Sequence, residues 1–381
     1  MTSIYLVITI VGIGILVWDY FRCRTKSVED RYMALYGRGN WDACNMELSL
    51  SFDREKDRDV KALFQKRLAE HLNRIDPNGS LFHEKPRLHR KGIDFYYDAC
   101  TTLQELGIPR KGIYMNSDQP GRLDIVWNHI QSDGIRLWRA LRPLFDANSS
   151  ILDFYSPKVP PALWPELLAI PTTIRRIFFR HNLVAPPASH LHYGFNTWQT
   201  QPVKRIKSRK KIPLNIITAA LILHALFQRH TDVNRLTVGL TVAFTFLNAK
   251  NQYGLITFKI KRSNFEGICS QMVSQIKDPM RCWGTFSTQS YLLSFFPDWL
   301  FKKIMNYFRG QLDVLISSLP LGRKTAEING VPITMSCHPK ALTIPYYFLL
   351  MGAGSDIHMS YTHKFGVEGD FMNQEKVLAA V

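Results

Sequence analysis

The run RLDIVWNHIQSDGIRLWRALRPLF (122–145) limits what this chain can fold into more than any other stretch. Leu123, Ile125 and Trp127 alternate at the two-residue period of a strand, whereas Ile135, Trp138, Leu141 and Phe145 follow helical spacing. A strand that turns directly into a helix, with His129, Asp133 and Gly134 in the turn, predicts a layered arrangement of sheet and helices. At 381 residues the chain exceeds what one core of ordinary size fills, so two lobes are expected.

The rest of the chain repeats the mixture. Strands are predicted at CNMELSLSF (44–52), LTVGLTVAF (236–244), GLITFKIK (254–261) and IHMSYTHKF (357–365). Helices are predicted at DVKALFQKRLAEHLNRI (59–75) and LNIITAALILHALFQRH (214–230). Between the halves, QPVKRIKSRKKIP (201–213) gathers Lys204, Arg205, Lys207, Arg209, Lys210 and Lys211. Such a charge run cannot enter a core and reads as an exposed basic crossover, either simply solvated or in contact with anionic headgroups or cofactor phosphates.

The N-terminus, MTSIYLVITIVGIGILVW, carries no charged side chain from Met1 to Trp18. As a helix it reaches about 27 Å, against a hydrocarbon core of roughly 30 Å. Arg22, Arg24 and Lys26 follow, and positive charge marks the cytoplasmic side. A single-pass membrane anchor over 1–21 with a cytosolic body is therefore expected, which in a eukaryote points to the endoplasmic reticulum. The charge order, apolar run first, argues against a cleaved signal peptide. An excess of 48 Lys and Arg over 31 Asp and Glu points to anionic partners, and beside an anchor these read as a phospholipid surface rather than nucleic acid. Two further stretches, PALWPELLAIPTTIRRIFFR (161–180) and SYLLSFFPDWLFKKIMNYFR (290–309), mix aromatics with edge cations, as either membrane-surface helices or buried core helices do.

His129 is the residue with chemistry to offer. At the end of a strand its imidazole is held by backbone on both sides, and a pKa near neutrality suits a general base. Asp133 is placed to fix the loop through an arginine or backbone donors, and Gly134 allows the turn. On spacing alone a satisfied core histidine explains the pattern better. The six cysteines form no CxxC pair and the histidines complete no ligand set, so neither a disulfide scaffold nor a metal site is indicated. Phosphate-loop, nucleophile-elbow and HExxH motifs are absent.

NHIQSDG resembles the HHxxxDG motif of the CoA-dependent acyltransferase superfamily, most of all its branch of wax ester synthases and acyl-CoA:diacylglycerol acyltransferases. LNIITAALILHALFQRH resembles that family's long helix opening the second lobe. VGLTVAFTFLNAKNQYGLITFKI resembles its strand, turn and strand, with Asn251 and Gly254 at the turn. SSLPLGRKTAEINGVPI (317–333) is similar to the stretch ending in a glycine, here Gly330, and IHMSYTHKFGVEGD (357–370) matches with Ser360, Tyr361, Gly366 and Asp370.

The resemblance implies an α/β fold of two chloramphenicol-acetyltransferase-like lobes around a central tunnel: an N-terminal lobe over 28–200, the crossover at 201–213 and a C-terminal lobe over 214–381. It implies acyl-CoA as co-substrate with no permanently bound cofactor, a lipid or alcohol acceptor, and His129 as catalytic base, supported by Asn128, Asp133 and Gly134. Asn128 stands where the family has its first histidine, and SSLPLG lacks the family's asparagine. Two alternatives follow: a condensation- or acetyltransferase-type enzyme using a small alcohol or amine, and an inactive relative that binds lipid or serves as a membrane scaffold.

Overall fold

The structure is a computed structural model that describes residues 9–10, 13–14, 45–75, 82–83, 113–116, 119–128, 141–146, 182–184, 192–210, 212–243, 253–276, 296–322, 326–338, 344–353, 355–366 and 371–381. The expected anchor therefore lies outside the described residues except for Thr9, Ile10, Ile13 and Gly14, which are helical. Among the described residues no helix is long and apolar enough to cross a membrane, so the spanning helix is without structural support.

Strand β1 (Asn45–Ser51) leads through a 3₁₀ turn into α1 (Asp57–Ile75). Short strands β2 (Phe82–His83) and β3 (Ile113–Asn116) precede β4 (Arg122–Asn128). Then come β5 (His192–Gln199), α2 (Thr200–Lys210), α3 (Leu214–Arg229), β6 (Arg235–Ala243), β7 (Tyr253–Lys261), α4 (Phe265–Ile276) and α5 (Asp298–Gly310). The chain closes with β8 (Val314–Gly322), a small hairpin of β9 (Glu327–Ile328) and β10 (Val331–Pro332), β11 (Thr334–His338), β12 (Tyr346–Ala353), β13 (Asp356–His363) and α6 (Gln374–Ala379).

Two sheets organise these elements: five strands in the order β11-β1-β4-β3-β2 and six in the order β5-β13-β12-β8-β6-β7. Strands are not apportioned by chain half. β5, which precedes the basic crossover, pairs antiparallel with β13, and β11, from the second half, pairs antiparallel with β1. The 201–213 segment is not a bare connection either, because Thr200–Lys210 is helical. Val203 and Ile206, three positions apart, form an apolar stripe on the core while Lys204 and Arg205 stay exposed.

Helix α3 is buried at every position from Ile216 to Phe227 except Ala225. A helix apolar on all sides must be covered on all sides, and the six-stranded sheet and helices α2, α4 and α6 do so. Against it the sheet presents Val238, Leu240, Ile316, Phe348, Leu350, Met359 and Tyr361. Gly194 of β5 is fixed by this packing: a Cβ there would fall 2.1 Å from the ring of Tyr361, its cross-strand partner.

The first sheet forms a second core from Leu48, Leu50, Leu123 and Ile125 with Val60 and Phe64 of α1. Leu349 and Met351 of β12 and Leu319 of β8 pack into this same core. The two sheets are thereby joined through side chains as well as through the crossing strands. Helix α5, from the 290–309 stretch, buries Phe301 and Met305 and leaves Trp299 and Tyr307 exposed. The 161–180 stretch lies outside the described residues.

Asp313, fully buried at the entry to β8, ties the segment 182–183 to the six-stranded sheet. Its carboxylate accepts from the backbone N–H of Asn182 (2.6 Å), Leu183 (2.7 Å) and Thr237 (2.6 Å) and from the Asn182 side chain (2.9 Å). Burial pushes its pKa up, against the lowering influence of these donors. Asp313→Ala deprives the buried Leu183 and Thr237 N–H groups of their acceptor, each worth roughly 1–3 kcal/mol, while the exposed Asn182 can turn to water. The expected loss is at least about 2 kcal/mol of unfolding free energy, read from urea denaturation midpoints; a loss below about 1 kcal/mol contradicts this role.

Candidate active site

Strand β4 carries the predicted site to its position. It is clasped between β1 and β3, with Leu123 and Ile125 buried in the first core and Asn128, its last residue, in register with Asn45 of β1. His129, Asp133 and Gly134 follow immediately and lie outside the described residues. The chain is described again from Leu141, which with Leu144 and Phe145 is buried in the same core. Both ends of the 129–140 segment are thus fixed to one hydrophobic core.

The return end is locked by Asp146. Arg67 of α1 forms an ion pair with it at 2.7 Å and also donates to the Leu144 carbonyl at 3.1 Å. The carboxylate further accepts from the backbone N–H groups of Asn329 (3.1 Å) and Gly330 (2.8 Å) in the β9–β10 turn, and the Asp146 N–H donates to Glu327. Asn329 and Gly330 both adopt positive φ, 55° and 69°, which aims consecutive N–H groups at one carboxylate. Through Gly330, therefore, the second half of the chain grips the segment leaving the motif.

Arg122 and Asp124 on β4 join Glu47 and Ser49 of β1 in a polar cluster. Arg122 donates to Asp124 (2.8 Å) and Ser49 (2.7 Å) and lies 3.5 Å from Glu47, while Glu47, Ser49 and Asp124 are at most 2 % exposed. Burial raises the Asp124 pKa, and Arg122 opposes the shift. The cluster ties β1 to β4.

The six-stranded sheet turns two distinct faces outward. One is covered by α3; the other carries Leu319, Leu349 and Met351 into the first core and, beside them, hydroxyl groups. Thr241 donates to Ser317 across β6 and β8 at 3.0 Å. Ser360 accepts from the Cys337 N–H at 3.2 Å, joining β13 to β11. Of the positions that resemble the family's, Gly254 is the second residue of β7, Gly330 sits in the β9–β10 turn, Ser360 bridges the sheets and Tyr361 fills the helix-covered core. Asn251 and Asp370 lie outside the described residues.

The histidine of β13 that shares Ser360's face, His358, contacts Thr197 at 3.3 Å, and burial lowers its pKa. Among the described residues no group of three or more His, Cys, Asp or Glu could hold a metal ion, and Cys269 and Cys337 are buried and not disulfide-bonded. Asp146, the Thr241–Ser317 pair and the Ser360 bridge went unnoticed in the sequence. Asp146 had only its place after a helical run to mark it, and the hydroxyls are brought together by strand pairing alone.

No family model matches the sequence, and no curated protein matches it significantly. Solved structures do. A variant of the starter condensation domain of rhizomide synthetase, in complex with C8-CoA, matches with a TM-score of 0.59 at 10 % identity over 93 % of this chain and 94 % of that one. Another variant of that domain, with C8-CoA and Leu-SNAC, matches at 0.56 and 9 % identity over 92 % and 91 %. A trichothecene 15-O-acetyltransferase from Fusarium sporotrichioides matches at 0.58 and 11 % identity over 92 % of each chain. The chain therefore has the mixed α/β fold of condensation and acetyltransferase domains. No wax ester synthase or diacylglycerol acyltransferase is among these.

Burial raises the pKa of Asp146, but the Gly330 N–H, Arg67 and the Asn329 N–H outweigh it and hold the carboxyl below its usual value. A carboxyl with a depressed folded pKa stabilises the fold above its unfolded value near 3.8 and loses that contribution as pH falls further. Asp146→Asn is expected to unfold at lower urea than wild type at pH 7, with the difference shrinking as pH drops below about 4. A difference constant between pH 7 and pH 3 contradicts the clamp.

Proposed function

We propose that this protein is an acyl-CoA-dependent acyltransferase in which His129 acts as general base. The observation that carries the reading is that the HxxxDG segment leaves the central strand β4 in a chain whose fold is that of domains solved with C8-CoA. The base takes the proton of the acceptor as its oxygen attacks the thioester carbonyl; the new C–O bond forms, the C–S bond breaks, and the imidazolium returns the proton to the departing CoA sulfur. No acyl-enzyme is needed. Holding both substrates at one base lowers the entropic part of the barrier, and the base itself contributes typically about 10²- to 10⁴-fold. Asn128 hydrogen-bonds without titrating, which suits an orienting position, and Asp133 and Gly134 shape the loop.

For the acceptor, we favour a lipid hydroxyl, diacylglycerol or a long-chain alcohol. The uncharged N-terminal run and the exposed Trp299 and Tyr307 of α5 support it, since both suit a protein working at a bilayer. The second reading is a small alcohol or an amine, favoured by the likeness to a 15-O-acetyltransferase and to condensation domains.

Membranes carrying the wild type, given octanoyl- or palmitoyl-CoA with diacylglycerol, a long-chain alcohol or a short amine in turn, are expected to release CoA in an acceptor-dependent way. His129→Ala is expected to lower that release at least about 10²-fold. Absence of release with every acceptor, from folded protein, rejects the enzyme in favour of a lipid-binding relative. Asp133→Asn is expected to reduce the folded yield more than the turnover of the molecules that fold. Unchanged melting temperature with abolished turnover contradicts that assignment.

A further inference from the structure

A cavity of about 770 Å³ opens on the outer side of the second lobe, where the end of α3 meets α6 and the segment after β13. The six-stranded sheet stands between this cavity and the face carrying Ser317, Ser360 and the first core, so it is not part of the proposed catalytic site. Its size falls within the roughly 300–1,000 Å³ typical of small-molecule pockets.

The lining divides cleanly by chemistry. Phe365, Phe371 and Val377 supply apolar surface; His224, Arg229 and Lys376 supply nitrogen donors, and no carboxylate lines it among the described residues. Arg229 is held in place beforehand. Its guanidinium donates to the Gly366 carbonyl at 2.6 Å and lies 4.6 Å over the Phe371 ring, and such a rigid fork keeps further N–H groups for a ligand. Lys376 is exposed on α6. The wall it stands on is anchored: Gln374 and Gln199 exchange two hydrogen bonds of 2.8 Å, and the Trp198 indole donates to Met372 at 2.8 Å.

His224, 5 % exposed, forms part of the cavity wall beside Arg229.

We propose that this cavity binds a single-chain amphiphilic anion. Its carboxylate or phosphate head is taken by Arg229 and Lys376, and its aliphatic part lies against Phe365 and Phe371. The inference is independent of the acyltransferase reading, because none of its residues belongs to that site.

Isothermal titration of the full-length protein with octanoate, octyl phosphate, inorganic phosphate and 1-octanol, below micellar concentrations, tests it. Octanoate or octyl phosphate is expected to bind at least tenfold more tightly than inorganic phosphate or octanol, and the tighter of the two names the head group. Lys376→Glu and Ala380→Trp, both at exposed positions and checked by circular dichroism, are each expected to weaken that binding at least tenfold. Equal affinity for octanol or for inorganic phosphate overturns the proposal, as does the absence of binding. Binding unchanged in both variants places the ligand elsewhere and overturns it as well.

Discussion

Strand β12 is buried on both faces, and the union of the two lobes depends on it. Tyr346, Phe348 and Leu350 enter the core under α3, while Leu349 and Met351 enter the core built on β1, β4 and α1. Each fully buried aliphatic or aromatic side chain contributes roughly 1.5–3 kcal/mol, so one strand commits several kilocalories to each core. Separating the lobes would expose one of those two sets to water. The crossing strands add backbone pairing to the same junction, with β11 on the edge of the first sheet and β5 on the edge of the second.

That junction also holds the chain on either side of residues 129–140. The stretch between β8 and β11 leaves one sheet and enters the other, and its β9–β10 turn takes hold of Asp146 on the way. Arg67 of α1 grips the same carboxylate. Asp146, at the return end of the motif segment, is thus held by elements from both halves of the chain. Asp313 performs a parallel service on the far side, drawing residues 182–183 onto β6 and β8.

Elements whose apolar residues recur at a recognisable spacing or length were legible in the sequence to within a residue or two. Strand β1, predicted over 44–52, spans Asn45–Ser51; α3, predicted over 214–230, spans Leu214–Arg229; β6, β7 and β13 fall equally close. The ones that escaped have physical reasons. β12 reads YYFLLMGA, a continuous apolar run with no alternation, because both its faces are buried. β5 sits at a sheet edge, and His192, Asn196 and Thr197 give it no apolar period. α2 was hidden by its basic residues, since only Val203 and Ile206 mark its inner side. The strand leading into the motif was legible and is β4, but Asp146 and the hydroxyl pairs were not, because long-range pairing alone assembles them.

The fold, the placement of the motif at the end of a doubly clasped strand and the hydroxyl-bearing inner face of the second sheet support acyl transfer between the lobes. The most direct test is a crystal structure of the full chain with a thioether analogue of octanoyl-CoA. The account predicts the carbon standing for the thioester carbonyl between the end of β4 and the β8–β13 face, with the His129 imidazole within about 4 Å of the space open to an attacking oxygen. An analogue bound elsewhere, or a His129 ring packed in a core and turned from the acyl group, would contradict it.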